Sequence, residues 1–377
     1  MANIFDYLRW RGDLTLEQAP FQAVDGLILS CLAYTYFDEV FKENPKRQVR
    51  LADALTELQN LHESKWRVRD RQDVELIKLA AKAPRFREMK LCYYIDHIDL
   101  ERVAQFSAIT IKVDATHVFV AFRGTDTALV GWKEDFHMTF LDVVPAQIAA
   151  KKYLENIALR TESQIFVGGH SKGGNLAVFA ATNLPEELQG KIEFVYNYDG
   201  PGVRDATLLL KGHQRVVDRI ETYVPQGSVI GLVFEHQEDY AVIHSTQKGL
   251  LQHDPYSWEV LGNDFVRLDE LEESSLIVNK ALMAWLNGLT IEQREKFVDA
   301  LFELLETFYV DEAGDLVYTT KNPIKTLKSL HEEDAEMKEI LFKGLKMFLK
   351  ATGEIFDSYR GQLYKKAERR FMKKENE

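Results

Sequence analysis

Residues 164–183 read QIFVGGHSKGGNLAVFAATN, and the rest of the fold is placed by working outward from them. Ile165–Val167 is apolar, as a buried strand requires, and the alanine-rich run after Asn175 suits a helix. Between the two lies Gly169-His170-Ser171-Lys172-Gly173, a G-x-S-x-G pentapeptide. The pattern alone is weak, but a strand running in and a helix running out give it its meaning. A serine at such a turn has strained torsions, so the residues that cross it must be tiny. Gly169 and Gly173 avoid clashes there, and Gly174 lets the helix lie close to the sheet. The helix start also aims backbone N–H groups at the place where negative charge would develop on a substrate oxygen. Ser171 is the candidate nucleophile, and Gly169, His170 and Gly173 complete its elbow. The alternative is a glycine-rich turn with an incidental serine.

Strands and helices alternate on both sides of this unit. Upstream, Pro145–Arg160 has a helical pattern, with Ile148, Tyr153 and Ile157 expected to face inward. Downstream come two further strands, KIEFVYNY (191–198) and RIETYV (219–224), and a short candidate, YAVIHS (240–245). Strands separated by helices predict a mostly parallel sheet covered on both faces. Before the elbow, LCYYI (91–95), AITIKV (108–113) and HVFVAF (117–122) are β-rich, and Asp114–Ala115 predicts a tight antiparallel hairpin between the last two. The first 85 residues read as helical, from Phe21 to Leu32 and from Leu51 to Leu61. A polar linker, FKENPKRQVR (41–50), separates those two stretches. The fold class is α/β, a mixed, mostly parallel sheet with helices on both faces and extra N- and C-terminal helices. Beyond about residue 265 the strand signal ends, and Leu276–Leu286, Glu292–Phe308 and Ile324–Tyr359 read as charged amphipathic helices. The expected division is one domain over 1–265, including the helical segment 1–85, and a C-terminal helical extension or cap over 266–377.

Composition narrows the function classes. The 377 residues are 46% hydrophobic, with net charge −12 from 59 acidic and 47 basic side chains. That balance argues against nucleic-acid binding, whose footprint is basic. RRFMKK (369–374) is the clearest basic patch. Only Cys31 and Cys92 are present, far apart, which suits a reducing compartment. The N-terminus has no secretory pattern, and the uncharged stretches are too short to span a bilayer. The expectation is a cytoplasmic protein with no transmembrane segment. Neither metal-ligand spacing nor a nucleotide-binding glycine loop occurs, so no metal and no cofactor are expected.

A second oxyanion donor normally comes from a loop after an earlier strand. VAFRGTD (120–126) leaves its strand through Gly124, so the N–H of Thr125, with its hydroxyl, can join the N–H of Lys172. Two well-aimed donors contribute several kcal/mol of transition-state stabilisation.

The strings VAFRGT and VGGHSKGGNLA resemble the two signature segments of class 3, fungal-type triacylglycerol lipases. DYLRWRGDLTLEQAPFQAVDGLILSCLAY, YNYDGPG (196–202) and QHDPYSW (252–258) resemble more closely an uncharacterised bacterial family of lipase-like α/β-hydrolases, catalogued as a domain of unknown function. The resemblance covers roughly residues 1–265. It implies the α/β-hydrolase fold and a hydrolase-like site, and it implies no substrate.

In that fold the triad runs serine, acid, histidine. His253, beside Asp254-Pro255 and beyond the last strand, lies where the lipase resemblance places a base. His244, which ends a strand, is the alternative base; His213 and His236 lie in charged surroundings. The lipases carry their aspartate after the strand matching 219–224, but here that loop reads Pro225-Gln226-Gly227-Ser228. Asp199 is the nearest acid, one strand earlier in YNYDGPG, on the sheet edge of Ser171. It can equally be a turn-forming aspartate before glycine. Lys172 stands where the lipases commonly have leucine, either to hold an anionic substrate group or to point to solvent. His170 is read as packing; Trp132, Glu134 and Asp135, after the FRGTD loop, either line a pocket or start a helix, and the helix is the reading taken.

Two function classes follow. One is a serine esterase or lipase-like enzyme that cleaves a lipid or small acyl ester through acyl-Ser171, with His253 as base and Asp199 orienting it. The other is a catalytically degenerate hydrolase acting as an interaction or scaffold protein. The C-terminal helices could make a homo-oligomer contact, and the basic tail could meet a membrane surface.

Overall fold

The computed structural model describes residues 1–61, 67, 69–126, 128–305, 308–310, 316–318, 340, 343 and 344. The chain forms two compact units. One comprises Met1–Thr246 and Gln252–Trp285, and the other comprises Gln247–Leu251 and the described residues from Leu286 on.

The first unit is built on a nine-stranded sheet. Eight of its strands are β1 (Val49–Arg50), β2 (Lys90–Asp99), β3 (Ala104–Lys112), β4 (His117–Phe122), β5 (Gln164–His170), β6 (Ile192–Tyr198), β7 (Ile220–Pro225) and β8 (Tyr240–Ile243). They lie in chain order, and Arg267–Leu268 closes the far edge against β8. β4 through β8 pair in parallel, whereas β1 to β4 and the closing strand pair antiparallel. By these pairings β2, β4, β5, β6, β7 and β8 point one way, so the α/β sheet is mixed and mostly parallel. The hairpin expected at Asp114–Ala115 joins β3 to β4, and Asp114 Oδ1 accepts from the N–H groups of Thr116 and His117.

Alternation along the strands divides the core in two. On β4, Phe119 and Ala121 face one layer, while Val118, Val120 and Phe122 face the other; Phe166 of β5 opposes Ile165 and Val167 in the same way. The first layer is covered by N-terminal helices α1 (Ile4–Trp10), α2 (Ala23–Leu32), α3 (Asp38–Phe41), α4 (Leu51–Gln59) and α5 (Arg71–Ala80). It contains a wholly buried ion pair, Arg85 Nη2 to Asp25 Oδ2 at 2.6 Å, and Asp25 also accepts from Tyr7. The second layer holds α7 (Pro145–Arg160) and α8 (Lys172–Thr182); α6 (Leu129–His137) precedes them in the chain.

Several expectations change. Tyr153 and Ile157 are buried as anticipated, but Ile148 is 46% exposed, because it lies off the stripe that α7 turns to the sheet. The linker 41–50 ends in a strand, since Val49 and Arg50 find open partners in Leu91 and Lys90 at the edge of β2. Strand pairing also continues past residue 265, in Arg267–Leu268 and in a small hairpin of Phe308–Val310 with Leu316–Tyr318. These strands are too short to show a period-two pattern. Two expected helices are present as Glu273–Asn287 and Ile291–Leu305; Phe308, assigned to the second from sequence, is a strand residue. The expected helix Ile324–Tyr359 lies almost wholly outside the described residues, and the basic run 369–374 lies entirely outside them. No helix among the described residues is long and apolar enough to cross a membrane.

Candidate active site

The candidate residues gather at the C-terminal ends of β4 to β7, the sheet edge where open α/β folds place their ligands. Ser171 follows β5 and begins α8 with φ 59° and ψ −135°. A side chain in that region costs on the order of 1–3 kcal/mol and persists only where its surroundings enforce it. Here they do. Ser171 N–H donates to Tyr198 O on β6 at 2.9 Å, and its own carbonyl accepts from Gly174 N–H at 2.8 Å. A Cβ on Gly169 would lie 2.4 Å from the carbonyl carbon of Gly173, and one on Gly173 would lie 2.2 Å from Phe122 O. Neither crossing glycine therefore has room for a side chain.

The FRGTD loop lies directly against the elbow. A Cβ built on Gly124 would come within 3.2 Å of Ser171 Cβ and 2.5 Å of His170 O. Both flanks of the loop are clamped. Buried Arg123 reaches Asp96 at 2.6 Å, and Asp126 accepts from Tyr36 at 2.8 Å and from the N–H of Ala128 at 2.8 Å. Thr125 donates its hydroxyl to Asp135 Oδ2, so that proton is engaged and only the backbone N–H remains for an oxyanion.

The Lys172 side chain takes neither of the two roles expected for it. It is buried, with Nζ 2.6 Å from Glu134 Oε2 and 3.3 Å from Asp135 Oδ1. Burial opposes the ammonium charge, but Asp135 and Glu134 outweigh that and raise its pKa. Burial raises the Asp135 carboxyl, although Lys172 draws it the other way. Glu134 also accepts from the N–H groups of Gln105 and Ala146, tying α6 to β3 and α7. Trp132, Glu134 and Asp135 do lie in α6, as expected. What sequence reasoning missed is that two of them neutralise the residue after Ser171; the signal was a lysine in an otherwise uncharged helix.

Asp199 follows β6 with φ 51° and is fully buried. Its Oδ2 lies 2.6 Å from His253 Nδ1, and its Oδ1 accepts from the hydroxyl of Ser228. The structure thus brings Asp199 and His253 together. Ser228 was not identified from sequence, although it lies in the very loop where the lipases carry their aspartate. His253 is held from behind, since its carbonyl accepts from His170 Nε2 at 2.8 Å. The other three candidate bases are engaged elsewhere. His244 lies 2.7 Å from Glu259, His213 meets Thr182, and His236 binds Glu238 and Gly231 O. Burial alone would raise Glu238, yet His236 draws it down to about 2. No cluster of metal-ligating side chains occurs among the described residues.

A family model described as Mbeg1-like matches residues 80–303, more than half of the chain. The chain belongs to the Mbeg1-like family. This is a lipase-like family. No curated protein matches this Mbeg1-like chain. Among solved structures, a crystal structure of M37 lipase is similar at 15% identity, over 56% of this chain and 69% of that one. The TM-score is 0.36, too low for the likeness to carry an argument.

Proposed function

We propose that this Mbeg1-like chain has the α/β-hydrolase fold and is a serine hydrolase acting on an ester, lipid or small acyl, through an acyl-Ser171 intermediate. The contact between His253 Nδ1 and Asp199 Oδ2, at 2.6 Å, carries the reading. With Nδ1 committed to a carboxylate, Nε2 is the nitrogen left to take a proton.

The chemistry then runs in two halves. Ser171 Oγ attacks the ester carbonyl carbon while His253 Nε2 takes the serine proton. The negative charge on the former carbonyl oxygen is met by the N–H groups of Lys172 and Thr125. Collapse breaks the bond to the alcohol, which leaves with the proton from His253. A water then gives its proton to the same nitrogen and attacks the acyl carbon; collapse breaks the acyl–Oγ bond, His253 returns that proton to Ser171 Oγ, and the acid leaves. Asp199 stabilises the imidazolium that forms twice in the cycle.

The division into a hydrolase domain over 1–265 and a helical extension over 266–377, a class 3 lipase relationship, a bacterial source, a cytoplasmic location and a homo-oligomer contact through the C-terminal helices belong to the same proposal. The test is labelling by a fluorophosphonate probe in wild type, Ser171→Ala and His253→Ala. Labelling of wild type that is lost in both variants is expected. No labelling of folded wild-type protein would sink the enzyme reading and favour the degenerate, scaffold alternative.

A further inference from the structure

One imidazole joins the two halves of the site. His170 ends β5, immediately before Ser171, and its side chain is buried. Its Nε2 lies 2.8 Å from the carbonyl oxygen of His253, and its Nδ1 lies 2.9 Å from the hydroxyl of Tyr34 on the N-terminal segment. The carbonyl can only accept, so Nε2 must carry the proton, and Nδ1 is then free to accept from Tyr34. Burial above all, with the Arg69 charge, drives the His170 pKa well below the usual value and keeps the ring neutral, as this arrangement needs. Tyr34 is itself fixed, because the Arg69 guanidinium stacks 3.6 Å from its ring centre and is held by Asp73 at 2.7 Å. Asp73 in turn accepts from Tyr256, three residues after His253. The chain of contacts therefore leaves the base loop through His170 and returns to it through Tyr256.

We propose that His170 is a positioning residue, which sets the distance between the nucleophile and the base by donating Nε2–H to the backbone of His253, while Tyr34 donates to Nδ1 and holds the ring from its other side. The proposal rests on the serine hydrolase reading. The two ring centres stand 4.6 Å apart, so a slip of the His170 ring moves the His253 loop directly. Ser171 Oγ and the His253 imidazole belong to different loops, and their register needs a cross-brace. The elbow supplies it from the residue adjoining the nucleophile. Substrate binding does not involve this hydrogen bond, so its loss should lower turnover and not affinity.

Two measurements test this. The first compares hydrolysis of a short acyl nitrophenyl ester, and labelling by a fluorophosphonate, in wild type, His170→Phe, His170→Gln and Tyr34→Phe. His170→Phe keeps the ring and removes the donor; kcat and labelling rate should fall about 10- to 100-fold, with KM within about twofold. Glutamine can present an N–H near the same place and should recover most of the loss. Tyr34→Phe should fall between. The second measurement is a 15N-histidine NMR correlation on the wild-type full chain, which should show His170 neutral and protonated on Nε2 at pH 7. A His170 protonated on Nδ1, or charged, overturns the proposal whether or not a variant folds. Equal rates in wild type and His170→Phe overturn the positioning role alone. Wild-type protein that neither labels nor turns over overturns the hydrolase reading and this role with it.

Discussion

Lys172 and Glu134 form an ion pair at 2.6 Å in which both side chains are buried. Such a pair contributes little net stability compared with a packed apolar core, yet breaking it leaves an uncompensated buried charge. Lys172→Met should therefore cost about 3–5 kcal/mol of unfolding free energy. The double variant Lys172→Met/Glu134→Gln should cost less than the two single changes added together, by at least about 1 kcal/mol. Urea denaturation of the four proteins provides the cycle, and a coupling energy near zero would refute the pairing.

Asp254, next to the proposed base, carries a pH-dependent cost. Burial raises its carboxyl to about 6, against the opposing pull of the Tyr256 N–H and Arg69. The folded state holds the Asp254 proton more tightly than the unfolded state, whose value is about 3.9. This contribution to stability is thus fully favourable below about pH 4 and is lost as pH rises through 6. Asp254→Asn removes the penalty and can still accept from Tyr256 N–H. The variant should be more stable than wild type at pH 8 by about 1–2 kcal/mol, a discounted figure because the residue keeps some solvent contact. At pH 5 the advantage should be clearly smaller. An equal gain at both values, measured by chemical denaturation, would rule out this ionisation as the cause.

Gly124 has no room for a side chain. A Cβ there would stand 2.3 Å from the Tyr34 hydroxyl and 2.5 Å from the His170 carbonyl, beside Ser171. Gly124→Ala should push the Thr125 N–H off its position and slow fluorophosphonate labelling about 100-fold, the scale of losing one oxyanion donor. Gly190→Ala is the control, because nothing lies within 4 Å of its Cβ, and its labelling should match wild type. If Gly124→Ala labels as fast as the control, the FRGT loop has no part in the chemistry.

The sequence made much of this site legible because its constraints are local. A glycine pair around a serine, between a strand and a helix, leaves few backbone solutions. Asp199 was within reach for the same reason, since it leaves an apolar strand at the same sheet edge. The long-range partners were not legible. Nothing in the spacing joins Lys172 to Glu134, 38 residues apart, or His170 to Tyr34, 136 residues apart. Those pairs exist only once α6 and the N-terminal segment are folded onto the sheet. Ser228 was not legible because nothing in its loop marks a hydroxyl that donates to a carboxylate one strand away. Ile148 was misassigned because an apolar residue on a helix does not declare which side of the stripe it occupies.

Asp199 and Ser228 provide the test of which acid serves His253. The Asp199 carboxylate uses both oxygens, Oδ2 toward His253 Nδ1 and Oδ1 toward the Ser228 hydroxyl. Asp199→Asn keeps the shape, but its amide can turn an N–H toward the imidazole and favour the wrong tautomer, so labelling should fall about 10³- to 10⁴-fold. Ser228→Ala removes a single hydrogen bond to the same carboxylate, worth roughly 1–1.5 kcal/mol, and should slow labelling about 5- to 10-fold. The ordering matters more than either value, because a general loss of folding would lower both alike. Thermal unfolding midpoints of the two variants separate that case from a local one. Should Asp199→Asn label within about twofold of wild type while Ser228→Ala does not, no tautomer control by this carboxylate is needed, and the acid must be sought elsewhere.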